Sequence, residues 1–241
     1  MTRVAIIAAL PGELKPLVRG WQHESREGAQ LWRWGFDGGE WIAACAGAGV
    51  SAATRAFAAV EGDRHQFDAI ISTGWAGALQ EQFGAGRVFR VGSVVDAKTG
   101  ERFSAAGGND GCLLVTASRV ADAKEKQRLA ATYQAGLVDM EAAAVARLAH
   151  MRGVPFFCVK GVSDGVGERL PDFNRFISLD GRFKLFRFVA FAILRPLYWR
   201  GLIQMGENSK RASLGIAESL LYLLDPEGEI RKRNGYPNLK R

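Results

Sequence analysis

Short apolar runs alternate with helical patterns along the first two-thirds of the chain. Runs rich in Val, Ile and Phe predict strands, and apolar positions three and four residues apart predict helices. The predicted strands are 3–9, 41–46, 68–73, 91–96, 113–116 and 154–160, and the predicted helices are 12–19, 51–61, 122–132, 139–152 and 208–224. This alternation indicates βαβ units and an α/β fold. No repeat or low-complexity linker divides the 241 residues, so we expect a single domain over residues 1–241.

Four segments at predicted strand ends carry the candidate chemistry. They are Glu13 after the first strand, Trp75-Ala76-Gly77 after another, Asp139-Met140-Glu141 at the start of an Ala-rich helix, and Ser163-Asp164 after the last strand. Glu141 alone could be a helix-start charge stabilised by the dipole, and Asp164 alone could cap a turn. Two carboxylates from consecutive strand–helix elements favour a shared cleft, because ligands bind beyond the carboxyl ends of strands in open α/β sheets.

A glycine-rich turn offers a competing interpretation. Gly47-Ala48-Gly49-Val50-Ser51-Ala52 follows a predicted strand and opens a helix, as in the G-x-G-x-x-A dinucleotide fingerprint. That fingerprint expects an acidic residue at the end of the next strand, whereas Asp68 precedes its strand. We therefore disfavour a dinucleotide-dependent oxidoreductase.

Composition narrows the class of protein. Cys45, Cys112 and Cys158 are odd in number and lie in apolar stretches, which predicts reduced, buried thiols and a cytoplasmic protein. Neither they nor the three scattered histidines have the spacing of a metal site. The chain begins directly with a predicted strand, so we expect no signal peptide, and no apolar run is long enough to span a bilayer.

The positive charge is concentrated in the last quarter of the chain. The net charge is +7, and residues 182–241 hold 12 Lys/Arg against 5 Asp/Glu, which accounts for the whole excess. Over 182–201, aromatic and aliphatic residues alternate with Arg and Lys, as in a helix that lies in a membrane interface. The alternative is a helix packed on the sheet whose arginines reach water. Arg231-Lys232-Arg233 and Lys240-Arg241 lack interleaved aromatics, so we expect a solvated tail and no nucleic-acid binding.

The four segments, in this order, resemble the nucleoside phosphorylase/nucleosidase superfamily, most closely its methylthioadenosine/S-adenosylhomocysteine nucleosidase branch. The resemblance implies a three-layer α/β/α sandwich around a mixed, mostly parallel sheet, with a glycine-rich turn at Gly47. It also implies cleavage of an N-glycosidic bond without a cofactor. Members commonly form homo-oligomers, and here we expect a dimer.

By this resemblance Asp164, held by Ser163, is the general acid that protonates the purine at N7. Such protonation typically contributes about 10²–10⁴-fold to the rate. Donation near neutral pH requires a raised pKa, which we expect from packing of Asp164 against Phe156 and Phe157.

The resemblance assigns the other site residues as well. Glu13 takes the place of the base that activates water, and Glu141 accepts hydrogen bonds from the ribose 2′- and 3′-hydroxyls. Met140 packs on the sugar, and Trp75-Ala76-Gly77 lines the purine and ribose site.

Three positions depart from the family pattern. Trp75 stands where the nucleosidases have a small polar residue, and the phenylalanine that stacks on adenine would fall near Arg119 or Val120. We assign only a backbone contact to Val120. Phosphate-using relatives carry an arginine where Gly92 aligns, with Arg90 nearby, so Glu13 favours water as the nucleophile and phosphate stays open.

The C-terminal part points to a lipid substrate. Residues 182–201, with Gly206-Glu207-Asn208-Ser209-Lys210-Arg211-Ala212, resemble the hopanoid-associated phosphorylase branch, which is implicated in removing adenine from adenosylhopane. We therefore expect release of adenine from a 5′-substituted adenosine, by phosphorolysis or hydrolysis, at the anionic inner face of the plasma membrane. The alternatives are a soluble methylthioadenosine/S-adenosylhomocysteine nucleosidase and a non-catalytic nucleoside- or membrane-binding protein.

Overall fold

The computed structural model of the chain describes residues 2–62, 66–168, 170–178, 180–233 and 235–236. Its strands are β1 (Arg3–Ala8), β2 (Gln22–Arg26), β3 (Ala29–Phe36), β4 (Gly39–Cys45), β5 (Ala69–Ala78), β6 (Val88–Asp96), β7 (Arg102–Ser104), β8 (Asn109–Thr116), β9 (Leu137–Asp139) and β10 (Phe156–Asp164). Its α-helices are α1 (Pro11–Leu14), α2 (Val50–Glu61), α3 (Ala123–Tyr133), α4 (Ala142–Met151), α5 (Leu185–Ile193), α6 (Trp199–Leu224) and α7 (Glu229–Arg233). Two 3₁₀ helices, Phe173–Phe176 and Pro196–Tyr198, flank α5.

The strands form one mixed sheet around β5. Parallel pairings join β4, β1, β5 and β10, and a second parallel set joins β6, β8 and β9. Antiparallel pairings of β10 with β6 and of β5 with β9 connect the two sets, so β5, β10, β6, β8 and β9 close into a ring. The β2–β3 hairpin extends the sheet beyond β4.

Helices cover both faces of the sheet, which confirms the predicted three-layer α/β fold. Side chains of a strand alternate between its faces. In β1, Ala5 and Ile7 pack in the core that contains α2 and α4, whereas Val4 and Ile6 pack in the core that contains α6. Burial on both faces explains the continuous apolar run of β1.

Three helix boundaries differ from the prediction. The helix expected over 12–19 is only the four-residue α1, followed by turns. The helix expected from 139 begins at Ala142, because residues 137–139 pair with β8 as β9. The last long helix begins at Trp199, nine residues before the predicted start.

The β2–β3 hairpin was not predicted. β2 contains no buried residue, so it lacks the apolar run that reveals a strand. Its turn is formed by Glu27 and Gly28, which both have positive φ (52° and 78°), as in a two-residue type I′ turn.

The segment over 182–201 does not form the sheet-packed helix that was one of the two alternatives. None of the nine residues of α5 is buried, and α5 contacts chiefly the two flanking 3₁₀ helices. The helix is held by an aromatic cluster that comprises Phe173, Phe176, Phe183, Phe188, Phe191 and Tyr198. Within the part of the chain that the structure describes, no helix has the length and apolar character to cross a membrane.

Candidate active site

The predicted site segments meet at one edge of the sheet. β5 and β10 run parallel, and their register places Asp164 opposite Gly77. Gly77 also pairs with Val138 of β9, which leads into Glu141 from the opposite direction. β1 lies on the other side of β5 and leads into the loop that carries Glu13. Four segments that are distant in sequence thus converge beyond the carboxyl ends of β1, β5 and β10.

Glu13 is buried beneath the loop after β1. Its Oε2 accepts hydrogen bonds from the N–H groups of Ala9 and Leu10, and its Oε1 accepts one from Trp75, each at 2.8 Å. A Cβ atom at Gly74, whose φ is +122°, would lie 2.8 Å from the carboxylate, so glycine is required there. Burial raises the pKa of Glu13 above its usual value, against the opposing effect of these hydrogen bonds. A fixed carboxylate of raised basicity is suited to accept a proton.

Glu141 lies at the N-terminus of α4 and reaches back to the glycine-rich turn. Its Oε1 accepts the Gly49 N–H at 2.6 Å, and a Cβ atom at Gly49 would lie 3.7 Å from the methyl group of Met140. Burial first, and then the charge of Asp139, raises the pKa of Glu141 to about 8. The glycine-rich turn positions a site carboxyl group, which is a role that needs no dinucleotide.

Lys160 and Asp139 form a fully buried ion pair next to this site. Lys160 Nζ lies 2.8 Å from Asp139 Oδ2, and neither side chain has any exposed surface. Lys160 also donates to the Thr73 carbonyl at 3.1 Å, while Asp139 accepts from the Thr116 hydroxyl at 2.7 Å and the Ala142 N–H at 2.9 Å. Sequence reasoning assigned no role to Lys160, although a lysine inside an apolar strand was a signal for such a pair.

Asp164 is bound by a hydroxyl and by a cation. Ser163 Oγ donates to Oδ1 at 2.6 Å, and Lys126 Nζ donates to Oδ2 at 2.5 Å. Lys126 belongs to α3, its side chain is 6% exposed, and it also donates to the Gly165 carbonyl at 2.7 Å. The ammonium group thus compensates the charge of the carboxylate.

The predicted packing of Asp164 against Phe156 and Phe157 is wrong. The two phenylalanines begin β10, whereas Asp164 ends it. At about 3.3 Å per residue in a strand, these positions lie roughly 25 Å apart. Phe156 is buried in the core, and Phe157 lies 3.5 Å from the Cβ position of Gly107.

Trp75 contributes its backbone to the site and its side chain to helix packing. Its N–H holds Glu13, whereas its indole N–H donates to Ser213 of α6 at 3.0 Å. A Cβ atom at Gly12 would lie 3.2 Å from the indole ring, so the ring packs between α1 and α6. This packing accounts for a large side chain where the family pattern has a small one.

Ala76 and Gly77 support the Asp164 turn. The Ala76 carbonyl lies 3.3 Å from Ser163 Oγ and is the longer-range alternative acceptor for the hydroxyl that reaches Asp164 at 2.6 Å. A Cβ atom at Gly77 would lie 3.1 Å from Lys126 Cε and 3.3 Å from Asp164 Oδ2. The absence of a side chain at Gly77 therefore lets the lysine and the carboxylate meet.

The backbone of Val120 is paired with the carboxamide of Asn174. The Val120 N–H donates to Asn174 Oδ1 at 2.9 Å, and Asn174 Nδ2 donates to the Val120 carbonyl at 3.0 Å. A carboxamide presents one acceptor beside one donor, which is also the pattern of the N1 and 6-amino edge of adenine. Asn174 thus forms hydrogen bonds with the N–H and the carbonyl of Val120, the backbone groups expected to contact the purine base. The sequence did not predict this contact.

Asn174 belongs to a cap segment, which we define as residues 171–178 and 180–198. Besides its contact with Val120, the cap segment touches the glycine-rich turn, because the Gly181 carbonyl accepts the Ala48 N–H at 2.9 Å. Arg55 of α2 donates to the Asp180 carbonyl at 2.8 Å. The segment therefore contacts both the Val120 side and the Glu141 side of the site.

Arg90 is directed to α6. Its guanidinium stacks over the Tyr222 ring at 5.1 Å from the centroid, and its Nε donates to the Ser219 hydroxyl at 3.4 Å. In this structure the side chain of Arg90 is thus engaged with α6. Among the described residues, no group of three or more His, Cys, Asp or Glu side chains has an arrangement that could hold a metal ion.

Sequence comparison identifies the family. The profile of the phosphorylase superfamily matches residues 3–110 and 108–182, which is well over half of the chain. The chain belongs to the phosphorylase superfamily. This confirms the expected superfamily and the expected class of enzyme, a nucleoside phosphorylase or nucleosidase that cleaves N-glycosidic bonds. A search of curated proteins found no match to this phosphorylase-superfamily chain.

Solved structures of nucleosidases share the fold of this superfamily member. The 5′-methylthioadenosine nucleosidase of Arabidopsis thaliana has a TM-score of 0.69 and 19% identity, covering 93% of this chain and 96% of that chain. The S-adenosylhomocysteine nucleosidase of Streptococcus pyogenes has a TM-score of 0.67 and 20% identity, with 94% and 97% covered. The futalosine hydrolase of Helicobacter pylori has a TM-score of 0.68 and 13% identity, with 93% and 98% covered. At these identities the likeness supports the shared architecture.

Proposed function

We propose that this chain hydrolyses the N-glycosidic bond of a 5′-substituted adenosine and releases adenine. The observation that carries the proposal is the convergence of Glu13, Glu141 and Asp164 at one edge of the sheet, each held by specific hydrogen bonds. Bond cleavage leaves positive charge on the sugar and negative charge on the purine, so it needs groups on both sides.

Each carboxyl group has a separate task in this reaction. As the C1′–N9 bond breaks, its electron pair moves to the purine, and Asp164 protonates N7 so that adenine leaves neutral. Glu13 accepts a proton from the water that attacks C1′. Glu141 binds the ribose hydroxyls and Met140 lies beside the sugar, while the Val120 backbone contacts the base after Asn174 moves aside.

Water is the better supported nucleophile. Glu13 is a buried carboxyl group of raised pKa, which suits a base that activates water. The arginine that the sequence offered as a phosphate ligand, Arg90, is directed to α6 instead.

The 5′-substituent of the proposed substrate is a lipid, as in adenosylhopane. Large apolar side chains that are 43–91% exposed lie on α5, on the turn and the 3₁₀ helix that follow it and on the first turns of α6: Leu185, Phe186, Val189, Ile193, Leu194, Leu197, Trp199 and Ile203. A groove of about 350 Å³ is lined by Glu168, Leu197, Arg200, Gly201 and Gln204. One lining residue of the groove, Glu168, follows Asp164 by four residues in the chain. An apolar surface of this extent with interspersed cations fits a membrane interface.

Substrate preference tests the proposal. Adenine release is measured from adenosylhopane in liposomes and from methylthioadenosine, each with and without phosphate. Turnover of the lipid without phosphate is the expected result. Turnover of methylthioadenosine alone would instead identify a salvage nucleosidase, and dependence on phosphate would refute hydrolysis.

Membrane association is tested separately by charge reversal. We place the protein as a homodimer at the cytoplasmic face of the membrane, with α5 in the interface. Each surface cation contributes about 1 kcal/mol to binding of anionic membranes, so Arg187→Glu with Arg195→Glu should weaken liposome binding more than about 30-fold. The control variant reverses the exposed Lys98 and Lys124. Equal binding by both double variants would contradict the proposed orientation.

A further inference from the structure

Lys126 is a buried cation whose contacts converge on the acid of the site. Of the hydrogen bonds that the structure shows for its ammonium group, one reaches Asp164 Oδ2 at 2.5 Å and one reaches the Gly165 carbonyl at 2.7 Å. The side chain extends from α3. Asp122 caps the helix, and Glu125 pairs with Arg128.

Burial of a lysine is costly, so its position calls for an explanation. Removing a charge from water costs several kcal/mol, and an apolar residue of similar size is often neutral or stabilising at such a place. Gly77 lacks the side chain that would stand 3.1 Å from Lys126 Cε, which leaves room for this contact. The arrangement is therefore built around the ammonium–carboxylate pair rather than around packing alone.

We propose that Lys126 is a positioning residue that supplies the proton which Asp164 passes to the leaving purine. The inference rests on the proposed function of Asp164 as the general acid. Each carboxylate oxygen has two lone pairs, so Asp164 can accept from Ser163 and Lys126 and still has a lone pair that can carry the proton delivered to N7.

In the resting pair the proton lies on the Lys126 ammonium and Asp164 is a carboxylate. As the electron pair of the C1′–N9 bond moves into the purine, one proton passes from Lys126 to Asp164 and from Asp164 to N7. Asp164 ends as a carboxylate again, and Lys126 becomes a neutral amine. Lys126 regains its proton from solvent after adenine leaves, so no further reactant is required.

Three other carboxylates among the described residues lie near the Lys126–Asp164 pair and can also contribute to the pH dependence of the rate. Glu168 packs beside Gly165, with its Oε1 3.4 Å from the Cβ position of that glycine, and it faces the pair from the turn after β10. On α3 itself, Asp122 and Glu125 are the nearest carboxylates along the helix. Glu168→Gln therefore serves as a control for any change in the pH profile.

The test compares two leaving groups in variants of Lys126. Methylthioadenosine needs protonation of its purine, whereas 4-nitrophenyl β-D-riboside has a leaving group that departs as a stable anion. Lys126→Met should lower kcat on methylthioadenosine by about 100-fold or more, within the range of general acid catalysis, and leave KM little changed. Its rate on the nitrophenyl riboside should stay within threefold of the wild type. Lys124→Met removes a cation from the exposed face of the same helix and should change neither rate.

Lys126→Arg separates proton supply from charge. A guanidinium keeps the positive charge but does not give up its proton, so Lys126→Arg should remain slow on methylthioadenosine. The alkaline limb of the kcat profile should move in Lys126→Met and stay in place in Glu168→Gln, because only the first substitution removes the proposed proton source. Recovery of activity in Lys126→Arg, equal losses on both substrates in Lys126→Met, or unchanged rates would each overturn the inference. A wild type that releases no adenine from any adenosine would instead overturn the proposed function.

Discussion

Loss of the Lys160 charge should destabilise the fold severely. The side chains of Lys160 and Asp139 are both fully buried, and they join β10 to β9 at 2.8 Å, with β5 paired to both strands. Lys160→Met leaves Asp139 with hydrogen bonds from Thr116 and Ala142 but without a compensating charge. Removal of one partner of a buried ion pair costs about 3–5 kcal/mol, which is a large part of the roughly 5–15 kcal/mol that stabilises a domain.

Urea denaturation at pH 7 measures this cost. The double variant Lys160→Met/Asp139→Asn removes the uncompensated charge as well, so it should recover at least half of the lost free energy of unfolding. Arg128→Met breaks the solvent-exposed pair with Glu125 and is the matched control, expected to leave stability unchanged. If the free energy of unfolding of Lys160→Met were within about 1 kcal/mol of the wild-type value, the inference that Asp139 is left as an uncompensated buried charge would be refuted.

Three further predictions concern the site and the thiols. Burial raises the pKa of Glu141 to about 8, so the folded protein keeps a proton that the unfolded chain releases. The free energy of unfolding, measured relative to Glu141→Gln, should therefore fall as pH rises from 5 to 8. An equal difference between the two proteins at both pH values would contradict this. Asn174→Ala frees the Val120 backbone and should lower KM for methylthioadenosine by about fivefold, whereas a higher KM would mean that the carboxamide supports the base site. Burial raises the pKa values of the three buried cysteines to about 11 or 12. Mass spectrometry should therefore show that they resist iodoacetamide at pH 8 until the protein is unfolded. Rapid labelling of the folded protein would contradict their burial.

The sequence was most informative at strand ends. Glu13, Glu141 and Asp164 each follow or adjoin an apolar run, and parallel strands bring such positions to one edge. Each of these carboxylates lies next to its strand in the sequence, so its place at the edge of the sheet could be predicted from local patterns. The expected packing of Asp164 against Phe156 and Phe157 was wrong because these residues lie at opposite ends of β10.

The contacts that distinguish this site come from distant parts of the chain. Lys126 lies 38 residues before Asp164, and Asn174 lies 54 residues after Val120. Neither residue has a local pattern that indicates its partner, because a lysine in an amphipathic helix is ordinarily solvated. Only the tertiary structure shows that Lys126 contacts Asp164, the proposed general acid, and that Asn174 contacts the Val120 backbone, the proposed contact of the purine base.

The C-terminal elements were predictable in composition but not in packing. Aromatic and basic residues indicated an amphipathic helix over 182–201, of which α5 covers only Leu185–Ile193, before a 3₁₀ helix over Pro196–Tyr198 and the start of α6. The sequence left open whether its apolar side chains face the sheet or the surroundings, since both arrangements need a helix. Lys240 and Arg241 of the basic tail lie outside the described residues, so the expectation of a solvated tail stays a prediction there.

Adenine release by the wild type and by Asp164→Asn tests the central claim most directly. The substitution keeps the size of the side chain and removes its ability to donate a carboxyl proton. With methylthioadenosine in phosphate-free buffer, we predict adenine release by the wild type and a rate lower by about 10²–10⁴-fold in the variant. Equal rates for the two proteins would contradict the assignment of Asp164 as the acid.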